Sequence, residues 1–134
     1  MNYHDTLIEV ADDCPVSEAE VPQARGGKKT KPVVEYELLV EHPYTFTEED
    51  IAFEVYAVLH DITQASWSKE RETFLRKGHP HLRVSALAKR YGWGVHNDAE
   101  GRVALVAVES PRYKWLMKDP RTAKVKAFRS TRAQ

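Results

Sequence analysis

About twenty residues, Leu87 to Val106, constrain the fold of this chain more than any other segment. Val84, Leu87, Ala88 and Tyr91 carry helical spacing, and Gly92 follows where a helix commonly ends in the left-handed conformation. Trp93-Gly94-Val95-His96 then reads as a strand, Asn97-Asp98-Ala99-Glu100-Gly101 as a polar turn, and Arg102 to Val108 as the returning strand of a hairpin. The returning strand is apolar on both faces, which predicts a central position covered by helices.

The remaining elements fit around that hairpin. Thr6 to Val10 is rich in branched residues and reads as a strand, ended by Asp12-Asp13-Cys14-Pro15. Residues 16–31, with Pro22, Gly26 and Gly27, are expected to form a flexible loop. Thr30 is placed to cap a helix that tolerates Pro32 in its first turn, with Val33, Tyr36 and Val40 on one face. His42-Pro43 closes it, because a residue before proline is pushed out of the α region. Thr47-Glu48-Glu49-Asp50 combines a capping hydroxyl with three acids at the positive end of a helix dipole. That start predicts a helix burying Ile51, Val55, Val58 and Leu59. Residues 47–60 also show period-two alternation, so a strand stays open there.

Ser66 or Ser68 opens a further helix carrying Trp67, Phe74 and Leu75, with Gly78 as its stop. Ser110-Pro111 and Asp119-Pro120 each set a capping side chain before a proline, and each predicts a helix start. The expected architecture is α+β: a small antiparallel sheet of about three strands packed with five or six short helices, in one domain spanning residues 1–134.

Composition narrows the classes. No apolar run approaches the roughly 20 residues of a membrane span, so no membrane partner is expected. The first residues, Met1 to Asp5, lack the basic and apolar regions of a secretory signal. The single cysteine, Cys14, excludes an internal disulfide and fits a reducing compartment, so the expected location is cytoplasmic. Formal net charge is zero, but residues 1–63 hold 4 Lys+Arg against 14 Asp+Glu, and residues 64–134 hold 16 against 6. Either the halves neutralise each other by packing or a basic face serves an anionic partner. The basic C-terminus carries Arg112, Lys114, Lys118, Arg121, Lys124, Lys126, Arg129 and Arg132, with Tyr113, Trp115 and Phe128 interleaved. Two basic helices there would permit nucleic-acid binding by phosphate contact and base stacking; a solvated helix face with an apolar stripe explains the same pattern.

Several segments together resemble a small bacterial protein family of unknown function. They are Asp5 to Pro15, Tyr36-Glu37-Leu38-Leu39 with His42-Pro43-Tyr44, Arg90-Tyr91-Gly92-Trp93-Gly94…His96 followed by Gly101…Ala104-Leu105, and Lys126-Ala127-Phe128-Arg129-Ser130. The Arg-Tyr-Gly-Trp-Gly block is the most specific of them. The resemblance implies a single-domain cytosolic protein and transfers no catalytic residue.

The helix-to-hairpin junction is the expected site. Trp93 and Tyr91 would give contact area, Arg83, Lys89 and Arg90 would attract an anionic group, and His96 would tune binding near neutral pH. The flanking Gly92 and Gly94 either open the backbone to a ligand or serve as helix stop and strand spacer. The leading reading is a non-catalytic binding module for a small anionic ligand or a protein partner. An enzyme using Cys14 or Glu9 with His96 is the alternative, although Asp12 and Asp13 disfavour a thiolate at Cys14. No cofactor is expected, since neither a Walker loop nor a dinucleotide fingerprint occurs. No metal site is expected either: His79-Pro80-His81 lacks a third ligand at a telling spacing, and Asn97, Asp98 and Glu100 do not form an EF-hand loop.

Overall fold

The computed structural model describes residues 3–79 and 81–130. Pro80 of the His-Pro-His segment and Arg132 of the basic tail lie outside the described residues. The fold is α+β, as expected, with a four-stranded mixed sheet in place of a three-stranded antiparallel one. Along the chain run β1 (Thr6–Glu9), α1 (Lys31–Glu41), α2 (Glu48–Leu59), α3 (Trp67–Lys77), α4 (Ala86–Lys89), β2 (Trp93–Asn97), β3 (Val103–Ala107), α5 (Pro111–Lys118) and β4 (Ala123–Lys126). Short 3-10 turns occupy Gln64–Ser66 and Leu82–Val84.

The strand order is β3-β2-β1-β4. Strand β1 is antiparallel to β2, with Leu7 opposite His96, and parallel to β4, with Leu7 opposite Lys124. Strand β4 replaces the helix expected after Asp119-Pro120. The Asp119 carboxylate accepts from the Arg121 N–H and the Thr122 hydroxyl, which folds the side chain into a local turn. Beyond it, Ala123-Lys124-Val125-Lys126 alternates with the period of a strand and places Val125 against the main core.

Strand β3 lies at the sheet edge, contrary to the central position expected. Its two apolar faces have another cause: α1 packs on one and α5 on the other. The rim is covered by the segment before α2, where the Val103 N–H donates to the Phe46 carbonyl and the Tyr44 N–H to the Val103 carbonyl. Backbone partners at this edge leave little to template another strand.

Residues 47–60 resolve as helix α2. The Thr47 hydroxyl accepts from the Asp50 N–H while the Asp50 carboxylate accepts from the Thr47 N–H, a complete capping box. The period-two pattern arises because α2 buries two faces. Ile51 and Val55 enter the main core; Phe53 meets Trp67 and Phe74 of α3. Val58 and Leu59, expected inside, are exposed, and so is Val40 of α1.

The sheet divides the core. Ile8, Leu39, Ile51, Val55, Leu87, Val95 and Val103 fill the main side, under α1, α2 and α4. Leu7 and Val106 pack with Tyr113 and Leu116 of α5 on the other. Gly94 is required on that second side: a Cβ there would lie 2.6 Å from the Tyr113 ring. Tyr113 cannot easily retreat, because its hydroxyl accepts from the Val10 N–H at 3.1 Å. Gly94→Ala is therefore expected to cost about 1–3 kcal/mol as an overpacking change. Urea denaturation checks this by a lowered midpoint at constant slope; an unchanged midpoint would show that α5 yields freely.

Candidate functional site

Helix α4 is capped by Ser85, whose hydroxyl accepts from the Leu87 N–H, and ends at Lys89 with Arg90 as its C-cap, two residues before Gly92 turns the chain at φ +79°. This short turn presents Lys89, Arg90 and Tyr91 to a cleft of about 370 Å3. The opposite wall is formed by Arg25 and by Thr30 and Pro32 at the start of α1. Among the described residues, no carboxylate side chain lines the cleft. Among the described residues, Arg25, Lys89 and Arg90 form no ion pair within 4.0 Å.

Arg25 reaches the cleft through a tight hairpin. Gly26 and Gly27 take φ +57° and +75°, and Arg25 and Lys28 exchange both backbone hydrogen bonds. Two successive positive φ values suit glycine best. The extended segment leading into this hairpin is tied down: the Glu20 N–H donates to the Tyr91 carbonyl at 2.8 Å, and the Trp93 indole N–H donates to the Glu20 carbonyl at 2.8 Å. Backbone at Glu18 and Ala19 also packs on Gly92, where a Cβ would meet it at 3.1–3.2 Å. The start of α1 adds to the positive field. Its first turn holds no acid and the Thr30 side chain makes no capping bond, so the positive end of the helix dipole is unopposed beside the cleft.

Of the six expected site residues, Lys89, Arg90 and Tyr91 meet in this cleft. Trp93 does not line it. The indole is half-buried against Tyr36, at 5.5 Å between ring centroids, and positions the loop that carries Arg25. Arg83 is engaged elsewhere: its guanidinium lies 4.5 Å from the centre of the Phe128 ring and its Nε donates to the Lys126 carbonyl. His96 lies on the far face of the sheet, opposite Leu7, and its Nδ1 shares a 2.9 Å hydrogen bond with the Tyr44 hydroxyl. Three residues apart on one strand, Trp93 and His96 must point to opposite faces. Among the described residues, neither Cys14 nor Glu9 makes a hydrogen bond to His96.

The C-terminal cations are dispersed. Lys126 pairs with Asp12, the Lys124 ammonium donates to the Asp119 carbonyl, and Arg112 lies over the exposed Trp115 ring at 5.3 Å. Only one of the two expected basic helices, α5, is present. The polar turn after β2 uses its own acceptor, since the Asp98 carboxylate takes the N–H groups of Glu100 and Arg102.

Arg25 was recognisable as a turn residue from the Gly26-Gly27 pair, but its meeting with α4 is a long-range contact. Glu35 and Glu48, buried to 4% and 2% exposure, carry no local signal of burial.

Residues 1–133 match the family of unknown function DUF6157, and the chain belongs to that family. No curated protein and no solved structure matches it. Among the described residues, no helix is long and apolar enough to cross a membrane.

His96 gives a pH signature of the fold. Burial, followed by the nearby Arg112 charge, holds its imidazole below the ordinary value of 6.5, against opposing pulls from Asp98, Asp5 and Asp119. The unfolded chain therefore takes up this proton before the folded one. The associated stability is complete above about pH 6.5 and declines as pH falls through that value. Denaturation of wild type and His96→Gln at pH 5.5 and 7.5 checks it: the substitution is expected to reduce the loss of stability on acidification.

Proposed function

We infer that this protein is a non-catalytic binding module for a small anionic ligand, taken up in the cleft between α4, the Arg25 hairpin and the start of α1. The observation that supports this reading is the convergence, among the described residues, of three cations without an ion-pair partner and one helix N-terminus on a concavity lined by no carboxylate. Guanidinium groups from two chain segments suit the fork geometry of carboxylate or phosphate, and Lys89 adds a point charge. Helix N-termini favour the same ligands. Tyr91 supplies apolar contact area at the cleft wall. The volume lies in the range of small-molecule pockets, about 300–1,000 Å3. A compact anion suits the cleft better than an extended polyanion, because exposed Glu18 and Glu20 lie on the adjoining loop and would repel a long phosphate backbone. The lone thiol and the family resemblance support a cytoplasmic, bacterial setting for this module.

Thermal-shift titration with inorganic phosphate, pyrophosphate and citrate tests the reading. At least one of these anions is expected to raise the melting temperature, less so at high salt. Loss of a charge-assisted contact costs about 1.5–3 kcal/mol, so Arg25→Ala and Arg90→Ala should each weaken binding roughly 10- to 100-fold. His96→Gln, on the far side of the sheet, should bind as wild type. An anion response that survives the Arg25→Ala/Arg90→Ala double substitution would remove the cleft from the function.

A further inference from the structure

A second cavity of about 210 Å3 has the opposite chemistry. It lies on the other side of the first turns of α1, walled by Ile51, Val55 and Tyr56 of α2, Phe74 of α3, and Leu82. Two carboxylates line it, Glu35 from α1 and Glu48 from α2. Both are almost wholly enclosed by protein. The Glu35 Oε1 accepts the Ser85 hydroxyl at 2.8 Å; the Glu48 oxygens accept the Leu82 N–H at 2.9 Å and the Asn97 side-chain amide at 2.8 Å. All three donors are neutral.

No cation within the described residues completes this arrangement. The ion pairs of the fold use Glu37, Asp50, Glu72 and Asp12, and leave Glu35 and Glu48 without a counter-charge within 4.0 Å. Two basic residues line the same cavity: exposed Lys31, one helical turn before Glu35, acts on it only weakly against the larger effect of burial and forms no ion pair within 4.0 Å, and His60 packs its ring on Tyr56 at 4.4 Å. Buried charge without a partner is costly, and proteins normally satisfy it with a counter-ion or a proton. Burial pushes the Glu35 carboxyl up, the response of an acid in that situation.

The walls indicate which cation fits. Ile51, Val55, Tyr56 and Phe74 offer apolar surface for a hydrocarbon body beside the two carboxylates. No group of three or more His, Cys, Asp or Glu within the described residues is arranged for a metal ion. An apolar wall also gives nothing to a hydrated divalent ion. We propose that this cavity binds a small organic ammonium ion, a primary amine on a compact hydrocarbon body, with the ammonium donating to Glu35 and Glu48 and the hydrocarbon against Ile51, Val55 and Phe74. A cavity of about 150 Å3 accommodates a benzene ring, so an aromatic or short-chain amine is the size expected here.

Calorimetric titration with benzylamine tests this, with benzyl alcohol and benzoate as neutral and anionic probes of the same shape. Saturable benzylamine binding is expected, with the alcohol at least about tenfold weaker and no binding of benzoate at this site. Glu35→Gln keeps an acceptor for Ser85 but removes the charge, and should weaken benzylamine about tenfold or more. The same substitution should raise the melting temperature of the unliganded protein at neutral pH, because a buried uncompensated charge is lost. Ala52→Leu, which fills the cavity from α2, should abolish binding, whereas Arg90→Ala should leave it intact. Failure of benzylamine to bind the wild type, equal binding of benzyl alcohol, or undiminished amine binding by Glu35→Gln would each overturn the proposal.

Discussion

The Glu48 carboxylate holds three separate parts of the chain in register. Standing at the first position of α2, it accepts from Asn97 at the end of β2 and from the backbone of Leu82 in the turn before α4. Both bonds lie in the protein interior, where a hydrogen bond is electrostatically stronger than in water and an unmet polar group is correspondingly expensive. The Leu82 turn leads directly to Ser85, which caps α4 and donates to Glu35 of α1. One chain of buried polar contacts thus fixes α2 to the sheet, α4 to α2, and α1 to α4. The geometry of the cationic cleft is inherited from it, since Lys89 and Arg90 sit at the end of α4 and Thr30 and Pro32 at the start of α1.

Much of this fold was legible in local sequence. The capping box at Thr47, the glycine stop at Gly78, the Ser110-Pro111 start and the hairpin after Trp93 are signals that span only a few residues, and each formed the expected element, whereas the helix expected from Val84 to Tyr91 is only Ala86–Lys89, after a 3-10 turn at Leu82–Val84. What escaped were features decided at long range. Asp119-Pro120 has the same local form as Ser110-Pro111, yet the residues beyond it alternate and find an open edge of β1 to pair with. Tertiary pairing then outweighs a helix start worth about 1 kcal/mol. Likewise, two apolar faces on β3 report coverage by α1 and α5, which is compatible with an edge position once the 44–47 segment shields the rim. Exposure of Val58 follows from α2 burying two other faces, a pattern that single-face periodicity does not anticipate.

The site divides in the same way. Lys89, Arg90 and Tyr91 were found together because they are consecutive at a helix end. His96 and Trp93 are close in sequence, but strand geometry sends residues three apart to opposite sides of a sheet. Arg83 is also near them in sequence, but its contacts with Phe128 and Lys126 depend on β4, a long-range pairing that no local signal announces. Glu35 and Glu48 were invisible for a different reason. A glutamate on a helix is ordinarily solvated, and nothing near either residue in sequence announces that α1, α2 and α3 close over it.

Helix α1 relates the two concavities. Thr30 and Pro32 border the cation-lined cleft, while Lys31 and Glu35 border the carboxylate cavity, so alternate residues of one helix start serve opposite fields. A helix turn spans only about 5.4 Å, and charges this close are not fully screened when one of them is buried. The near-neutral total charge of the chain conceals this local polarity. Two recesses of opposite lining thus lie on either side of the first turns of α1, one bordered by cations and the other by carboxylates.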